Sequence, residues 1–355
     1  MPTVTEPLPI LILGGGLAGT CLAWHLRRRG VAFLVVDRGE ESTSSKVAAG
    51  LVTPVTGMRL NLSWRFDELH PEALAFYRGI ERELGGMFYH ETPIVRLLRD
   101  KKAAELWARR VMQPEILPHL RSVDGTLVDE AVFVADHGGF EMKNSGWLDT
   151  AAFLQASRRF FSQAGCWLTA DVPQDALCAN GLGVTWQGRA FSWVIFCTGW
   201  QAARHPWFDW VPFQSAQGTV LTLAADTGGE RRIINKGCWL LPAGDGLVRA
   251  GPTYDLNFAA RPDTPGAEAI ASLEAKLRRL FLRPYEVLRQ QTGVRPIIQG
   301  RQALMGRHPA LPRVAFLNGL GSKGVLRAPW MARHLLEHLL DGCPLEDHLD
   351  LRANL

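Results

Sequence analysis

The glycine-rich segment near the amino terminus has the residue types and spacing of a phosphate-binding turn. Gly14, Gly16 and Gly19 follow an apolar run and open a helical pattern. Glycines at this spacing turn the chain tightly, so backbone N–H groups at the helix start can reach a pyrophosphate. Asp37 ends the next apolar run, 18 residues after Gly19, where its carboxylate can accept hydrogen bonds from a ribose diol. The motif predicts a dinucleotide site, with a purely structural turn as the alternative.

The elements around this motif form one strand–helix–strand unit. An apolar strand is expected at 8–13, a helix at 20–29 that ends at Gly30, and a buried strand at 31–36. Such a unit, about 30 residues long, provides the crossover that a parallel sheet requires.

Further elements follow along the chain. Buried strands are expected at 191–197 and 314–317, and the second leads through a glycine loop at 319–324 into a helix at 331–340. Other predicted elements are helices at 67–84, 101–112, 148–164 and 267–281, and antiparallel strands within 211–257. Nucleotide-binding elements at both ends and in the middle are therefore interleaved with an antiparallel region.

Composition sets the class of protein. The chain has 355 residues, of which 47% are hydrophobic and 21% are charged, as in folded globular proteins. Its net charge of +4 is far from the strongly basic balance of a nucleic-acid-binding protein, so nucleic acid is not expected as a partner. No apolar run approaches the roughly 18 residues of a membrane span. Residues 1–7 lack the pattern of a secretory signal, so we expect a cytoplasmic protein.

The spacing of cysteine and histidine residues argues against a metal site. The six cysteines are dispersed, and the histidines lack the spacings of known metal-binding helices. In a cytoplasmic chain these cysteines are expected to be free thiols.

Four further segments resemble parts of one enzyme family. Residues 44–51 (SSKVAAGL) are similar to the flavin-contacting loop of the D-amino acid oxidase, glycine oxidase and sarcosine oxidase family of FAD enzymes. Residues 194–200 (VIFCTGW) resemble the second FAD strand of that family. Residues 293–296 (GVRP) and 318–325 (NGLGSKGV) resemble its C-terminal signature. These motifs occur in the family's order, and they favour FAD over NAD as the dinucleotide.

The resemblance implies the fold class and the division into domains. A Rossmann-type α/β domain that binds FAD would be interleaved with an α+β substrate domain built on an antiparallel sheet. The FAD-binding domain would comprise residues 8–86, 146–208 and 291–345. The substrate domain would comprise residues 87–145 and 209–290.

The resemblance also implies the residues that contact FAD. Small residues at 48–50 would let the backbone approach the flavin ring, with a flexible linker as the alternative. The 319–324 loop would face the negative charge that develops at flavin N1 and C2=O, and Lys323 would add a positive charge unless it is a solvated surface lysine. The predicted contacts are Gly14, Gly16, Leu17, Ala18, Gly19, Asp37, Arg38, Ser44, Ser45, Ala48, Ala49, Gly50, Leu51, Val172, Thr198, Gly199, Gly319, Gly321, Ser322, Lys323, Gly324 and Val325. The histidine or cysteine that some relatives use for covalent attachment has no counterpart, so FAD is expected to bind non-covalently.

The substrate pocket is expected around Arg295, in the motif that provides the family's carboxylate anchor. A guanidinium can bind a carboxylate through two hydrogen bonds, whereas a structural ion pair is the alternative role. Asn235 and Trp239 stand where relatives place tyrosines in the pocket, which argues against a simple D-amino acid or glycine as substrate. Tyr254 is expected either to line the pocket or to pack in the core.

The reaction implied by the resemblance is oxidation of a C–N bond. Hydride from the carbon beside a neutral amine or amino-acid nitrogen would pass to flavin N5, giving an imine that water hydrolyses. Arg295 and Lys323 would act by positioning and by charge stabilisation, and no side-chain base is needed. The electrons would then pass to O₂ or another acceptor. Two alternatives remain: a modified tRNA base as substrate, because the flavin domain of a bifunctional wobble-uridine enzyme belongs to the same family, and a non-catalytic flavin- or nucleotide-binding module.

Overall fold

The computed structural model describes residues 8–122, 125–258, 262–300 and 302–354. Its helices are α1 (Leu17–Arg28), α2 (Ser44–Val47), α3 (Phe66–Leu84), α4 (Lys101–Arg110), α5 (Thr150–Gln163), α6 (Ala267–Arg278) and α7 (Gly324–Leu336). Its strands are β1 (Ile10–Leu13), β2 (Phe33–Asp37), β3 (Leu51–Val52), β4 (Val55–Thr56), β5 (Asn61–Leu62), β6 (Tyr89–Glu91), β7 (Ile94–Leu97), β8 (Leu120–Arg121), β9 (Gly139–Met142), β10 (Gly146–Leu148), β11 (Trp167–Thr169), β12 (Cys178–Ala179), β13 (Val184–Trp186), β14 (Arg189–Phe191), β15 (Trp193–Phe196), β16 (Ala216–Ala225), β17 (Ile233–Asn235), β18 (Trp239–Gly244), β19 (Leu247–Gly251), β20 (Tyr285–Arg295), β21 (Leu304–Arg307) and β22 (Val314–Asn318). Within these ranges, no helix combines the length and the apolar character needed to cross a bilayer.

The first large sheet has six strands in the order β11-β2-β1-β15-β22-β21. Five of them are parallel, and β21 is antiparallel to β22 at one edge. In the central strand β1, Ile10 and Ile12 pack in one core cluster with α1 and α7, whereas Leu11 and Leu13 pack in a second cluster on the opposite face. Because both faces are covered, β1 is a continuous apolar run, as the sequence predicted.

The second large sheet has eight strands in the order β20-β16-β19-β18-β17-β7-β9-β8. Its neighbours are antiparallel except β17 and β7, which are parallel. Strands β16 and β20 pair along their whole length, as far as Arg295. The domain boundary predicted at residue 291 therefore falls inside a strand of this sheet, and the division into two domains stays a prediction.

The predicted fold class is confirmed, with differences at particular element ends. Residue Phe191 ends the short strand β14 instead of opening the buried strand, so β15 starts at Trp193. The last helix starts at Gly324, well before the predicted residue 331, and it includes Pro329. Proline has no N–H for the carbonyl of Val325, and the Tyr77 hydroxyl donates to that oxygen instead, at 2.9 Å. This tertiary contact explains why the proline does not interrupt the helix.

Candidate active site

The predicted glycine turn joins β1 to α1 at the carboxyl end of the first sheet. Gly14 has φ +98°, and a Cβ there would lie 2.5 Å from the carbonyl oxygen of Cys197. A Cβ on Gly19 would overlap the carbonyl oxygen of Gly14, so glycine at this position lets α1 pack directly against the turn. Gly16 is the N-cap of α1, and the first turn of the helix contains no acidic residue. The start of α1 is therefore suited to an anion.

The predicted acidic residue at the end of β2 is fixed against the same turn. One carboxylate oxygen of Asp37 accepts a hydrogen bond from the Gly15 N–H at 2.7 Å, and the other accepts one from the Gly39 N–H at 2.8 Å. Each oxygen keeps a further lone pair that could accept a hydroxyl hydrogen bond. The carboxylate is thus held in an orientation in which it can still accept hydrogen bonds, and its contact with a ribose diol stays a prediction.

Two adjoining cavities extend from this turn. The large cavity, of about 510 Å³, lies at the carboxyl end of the first sheet. The small cavity, of about 310 Å³, lies between the turn and the second sheet. Both are lined by Gly16, Ser44, Ser45, Cys197, Gly199 and Gly293. The pair forms an elongated site that fits a dinucleotide with a reacting group at one end.

Most of the predicted site residues line one or both cavities. Around the large cavity are Gly14, Gly16, Asp37, Arg38, Ser44, Ser45, Val172, Thr198 and Gly199. Around the small cavity are Gly16, Leu17, Ala18, Ser44, Ser45, Ala48, Ala49, Gly50, Leu51, Gly199, Asn235, Trp239, Arg295, Gly321, Ser322, Lys323, Gly324 and Val325.

Three predicted site residues lie outside the cavity walls. Gly19 lies behind the turn, where its lack of a side chain leaves room for the carbonyl oxygen of Gly14. A Cβ on Gly319 would lie 2.5 Å from the Ile298 side chain, so Gly319 faces the core. Tyr254 is 60% exposed, so it does not pack in the core, and it lines neither cavity, but it lies close enough to Arg295 to act on the pKa of that guanidinium, and a role beside the substrate stays a prediction.

The segment predicted to contact the flavin is anchored and is not a flexible linker. It begins with the short helix α2, and the Thr43 hydroxyl accepts a hydrogen bond from the Lys46 N–H. The Arg249 guanidinium donates to the carbonyl oxygen of Val47 at 2.8 Å, and the Thr150 hydroxyl donates to that of Ala48 at 3.1 Å. These contacts hold the small residues that follow against the cavity.

Arg295 extends from the end of β20 across the neighbouring strand. Its guanidinium lies over Gly218, where any side chain would overlap it, and it donates weakly to the carbonyl oxygens of Gln217 at 3.4 Å and Thr253 at 3.3 Å. Burial lowers the pKa of Arg295. None of the described Asp or Glu side chains forms an ion pair with it, so the structural ion pair that the sequence left open is not seen.

Lys323 lines the same small cavity at the start of α7. Burial, together with the neighbouring charges of Arg327 and Arg96, lowers the pKa of its ammonium group to about 8. This environment differs from that of a solvated surface lysine, which was the alternative role. The side chain is therefore a cation at neutral pH whose charge is easily lost.

Sequence reasoning missed several residues that build the site. The Asn318 side chain lines the small cavity and donates to the carbonyl oxygen of Gly199 at 2.8 Å, joining the ends of β22 and β15. Asn318 follows an apolar strand, which was a signal that could have identified it. Gly218, in the wall of the small cavity, and Arg249, which holds the 44–51 segment, carry no local signal, because strand pairing alone places them.

The turn, the acidic strand end and the joined cavities define a dinucleotide-binding protein with an attached ligand cavity. The sequence model of the family described as "FAD dependent oxidoreductase" (DAO) matches residues 9–338. The chain belongs to this family and is an FAD-dependent oxidoreductase, so the predicted family and cofactor are confirmed.

Individual relatives agree with this assignment. The chain is 27% identical, over 95% of its length, to the tRNA 5-methylaminomethyl-2-thiouridine biosynthesis bifunctional protein MnmC of Maricaulis maris, of which it spans 52%. Iminodiacetate oxidase from Chelativorans sp. BNC1 superposes with a TM-score of 0.74 at 19% identity, covering 95% of this chain and 96% of that one. Glycine oxidase from Bacillus cereus superposes with a TM-score of 0.76 at 18% identity, covering 94% and 97%. The chain thus spans about half the length of its bifunctional relative and nearly the whole of the two oxidases.

The lowered pKa of Lys323 predicts a pH-dependent affinity for carboxylates. Below about pH 8 the ammonium is charged and attracts an anion, and above it the charge is lost. The affinity of the FAD-loaded protein for (methylthio)acetate, which has no titrating amine, is expected to fall about three- to tenfold between pH 7 and 9.5. Arg96 and Arg327, whose pKa values burial lowers to about 10, remain mostly charged in this range.

The measurement is a titration followed by the visible absorbance of the flavin. The Lys323→Met variant is expected to bind this ligand with a weaker affinity that changes little between pH 7 and 9.5. A wild-type affinity that stays constant up to pH 9.5 would contradict the assignment of Lys323 to the ligand cavity.

Proposed function

We propose that the chain oxidises a C–N bond in a small amine or amino acid that carries a carboxylate. The observation that supports this most strongly is the Arg295 guanidinium, which lines the small cavity without a carboxylate partner among the described residues. A half-buried guanidinium without an anion is unfavourable, and a substrate carboxylate would compensate it through two parallel hydrogen bonds.

FAD would occupy both cavities. In the large cavity, the start of α1 would meet the pyrophosphate and Asp37 would meet a ribose. In the small cavity, residues 48–51 and Lys323 would lie beside the flavin ring. Bound FAD supplies the acceptor for the two electrons that leave the substrate.

We infer that FAD is held without a covalent bond to the protein. Cys197 is the cysteine found among the described residues of both cavity walls, and it is buried. Burial raises the pKa of its thiol, so the protonated, weakly nucleophilic form prevails at neutral pH. Acid precipitation of the purified protein is expected to leave the flavin in solution.

The charges of the small cavity favour a neutral substrate nitrogen. The described residues of its wall include Arg295 and Lys323 but no Asp, Glu or His. A positive potential lowers the pKa of an ammonium group bound there, which promotes loss of its proton to solvent. The neutral nitrogen has the lone pair that assists departure of hydride from the adjacent carbon. The protein's part is therefore to position the substrate and to exclude the ammonium form, without a side-chain base.

An anaerobic titration tests this proposal. The FAD-loaded protein is mixed with N-substituted glycines, primary amino acids and amines without a carboxylate, and the flavin absorbance is recorded. We expect bleaching by one of the carboxylated classes and slower bleaching by the matched amines without a carboxylate. Reoxidation in air with release of H₂O₂ would identify O₂ as the acceptor. Failure of every amine to bleach the flavin would favour a non-catalytic flavin-binding module.

The bifunctional relative supports a second candidate, a modified tRNA base as substrate. That relative is named for the biosynthesis of 5-methylaminomethyl-2-thiouridine in tRNA. The net charge of +4 argues against extensive contact with a polyanion. Salt-dependent retardation of tRNA in a gel, together with flavin bleaching by modified tRNA and not by free amino acids, would establish this candidate over the first.

A further inference from the structure

We propose that the small cavity binds a second anionic group of the substrate, at the end opposite Arg295, through Lys323 and Arg96. This inference rests on the proposed function and narrows the substrate to N-substituted amino acids whose nitrogen substituent ends in a carboxylate or a similar anion. Three observations support it: the order of residues across the second sheet, the lack of ion-pair partners for the cations, and the absence of acidic groups from the described cavity wall.

One face of the second sheet, here called the floor, lines the small cavity. The two proposed anion-binding ends lie at opposite sides of this floor. Paired residues of neighbouring strands point to the same face. In the register of the sheet, Asn235 on β17 pairs with Trp239 on β18 on one side and with Arg96 on β7 on the other. Trp239 pairs in turn with Gly251 on β19. Arg96 therefore shares a face with Asn235 and Trp239, both of which line the small cavity.

Arg295 lies at the other side of this floor. Its guanidinium covers Gly218 on β16, and β16 is separated from β7, the strand of Arg96, by β19, β18 and β17. At about 4.8 Å between strands, these four intervals place β16 and β7 about 19 Å apart. Trp239 lies between them and covers Gly251, which gives the middle of the cavity an apolar wall. A substrate that reaches both ends needs a chain of several atoms between its two anions.

The cations at the second end lack ion-pair partners. The Arg96 guanidinium donates to the carbonyl oxygen of Gly57 at 3.0 Å, beside the cavity residue Thr56. The Nε of Arg327, one turn after Lys323 on α7, is buried without a hydrogen-bond partner. Within the described chain, no ion pair involves Arg96, Lys323 or Arg327.

Mutual repulsion of these cations favours an anion between them. Burial lowers the pKa of Arg96 and of Arg327, and both charges also lower the pKa of Lys323. The described wall of the small cavity contributes no carboxylate that could relieve this repulsion. Lys323 alone would provide one positive charge beside the flavin. The additional positive charge of Arg96, at the edge of the same floor, indicates a ligand that extends beyond the flavin.

A matched series of ligands tests the second site in the FAD-loaded protein. The probes are (alkylthio)acetates with two to four methylenes after the sulfur, ending in a methyl group or in a carboxylate, and none contains an oxidisable C–N bond. Dissociation constants are measured from the visible absorbance of the flavin and by calorimetry. The best dicarboxylate is expected to bind at least about tenfold more tightly than its methyl-ended partner at low salt.

Substitution of Arg96 tests whether this residue causes the dicarboxylate preference. Arg96→Gln is expected to reduce the dicarboxylate preference to about twofold while changing the affinity for the methyl-ended ligands less than twofold. Arg99→Gln, an exposed arginine three residues along the chain, is the matched control and is expected to keep the preference. Equal loss of affinity for both ligand types in Arg96→Gln would show that the cation serves only the flavin, and it would overturn the proposal.

Two further measurements keep the outcome unambiguous. If Arg96→Gln does not retain FAD, the test uses the wild-type dicarboxylate preference, which is the ratio of the dissociation constants of the methyl-ended ligand and the dicarboxylate. A ratio close to one, or one that does not decline with salt, overturns the second site. The same titrations with Arg295→Met separate this inference from the proposed function. Weaker binding of both ligand types in Arg295→Met, without a wild-type dicarboxylate preference, would leave the proposed function standing and remove only the second site.

Discussion

Replacing Arg295 with methionine is expected to weaken the binding of carboxylated ligands by about 30- to 5,000-fold. Loss of one partner from a buried, hydrogen-bonded charge pair costs about 2–5 kcal/mol. Methionine has a similar length and fills the space over Gly218, so the change removes the charge and the two donors with little change in packing. Titration of the FAD-loaded variant with (methylthio)acetate, followed by visible absorbance, measures the effect.

Arg295→Lys provides the matched control for charge. Lysine keeps the positive charge but not the planar pair of donors, so an affinity between those of wild type and Arg295→Met is expected. The thermal stability of the protein without ligand is expected to be unchanged or higher in Arg295→Met, because a half-buried charge without an ion-pair partner is removed. Equal affinity of wild type and Arg295→Met for the ligand would exclude Arg295 from the substrate site.

The parts of the site that were predicted from sequence are those whose geometry is local. The three glycines and Asp37 lie within one strand–helix–strand unit, and their spacing alone determines that the carboxylate meets the turn. The motif around Arg295 was recognised by its resemblance to the family's carboxylate-anchor motif, in a short segment at the end of β20.

The parts that were missed depend on contacts between distant segments. Arg96 lies beside Asn235, a residue of the cavity wall, only because β7 pairs in parallel with β17, a pairing that no local pattern indicates. Arg249 supports the 44–51 segment through main-chain carbonyl oxygens, which any sequence provides. The family resemblance suggested Tyr254 as a pocket or core residue, but the chain after β19 leaves it 60% exposed and outside both cavity walls. The order of the strands in the sheet and the direction of long side chains cannot be inferred from local sequence, so the residues that depend on them were not predicted.

Replacing Gly19 with alanine is expected to weaken FAD binding by about a hundredfold. The added methyl group would overlap the carbonyl oxygen of Gly14, and the backbone cannot rotate away as a side chain could. Helix α1 must then move from β1, which costs about 1–3 kcal/mol of packing and shifts the N–H groups at its start. The measurements are the flavin content of the purified protein and the affinity of the apoprotein for FAD, followed by quenching of flavin fluorescence.

Alanine substitutions at two other glycines distinguish a local effect on FAD binding from a general loss of folding. A Cβ on Gly16 would lie 3.1 Å from the Ser45 hydroxyl in the wall shared by both cavities, so Gly16→Ala is expected to keep the fold and to weaken FAD binding about tenfold. A Cβ on Gly181 would meet nothing within 4 Å, and Gly181→Ala is expected to bind FAD as the wild type does. Wild-type FAD affinity in both Gly16→Ala and Gly19→Ala would contradict the placement of the pyrophosphate at the start of α1. Loss of affinity in the order Gly19, Gly16, Gly181 would instead show that the closeness of backbone to ligand at this turn determines cofactor binding.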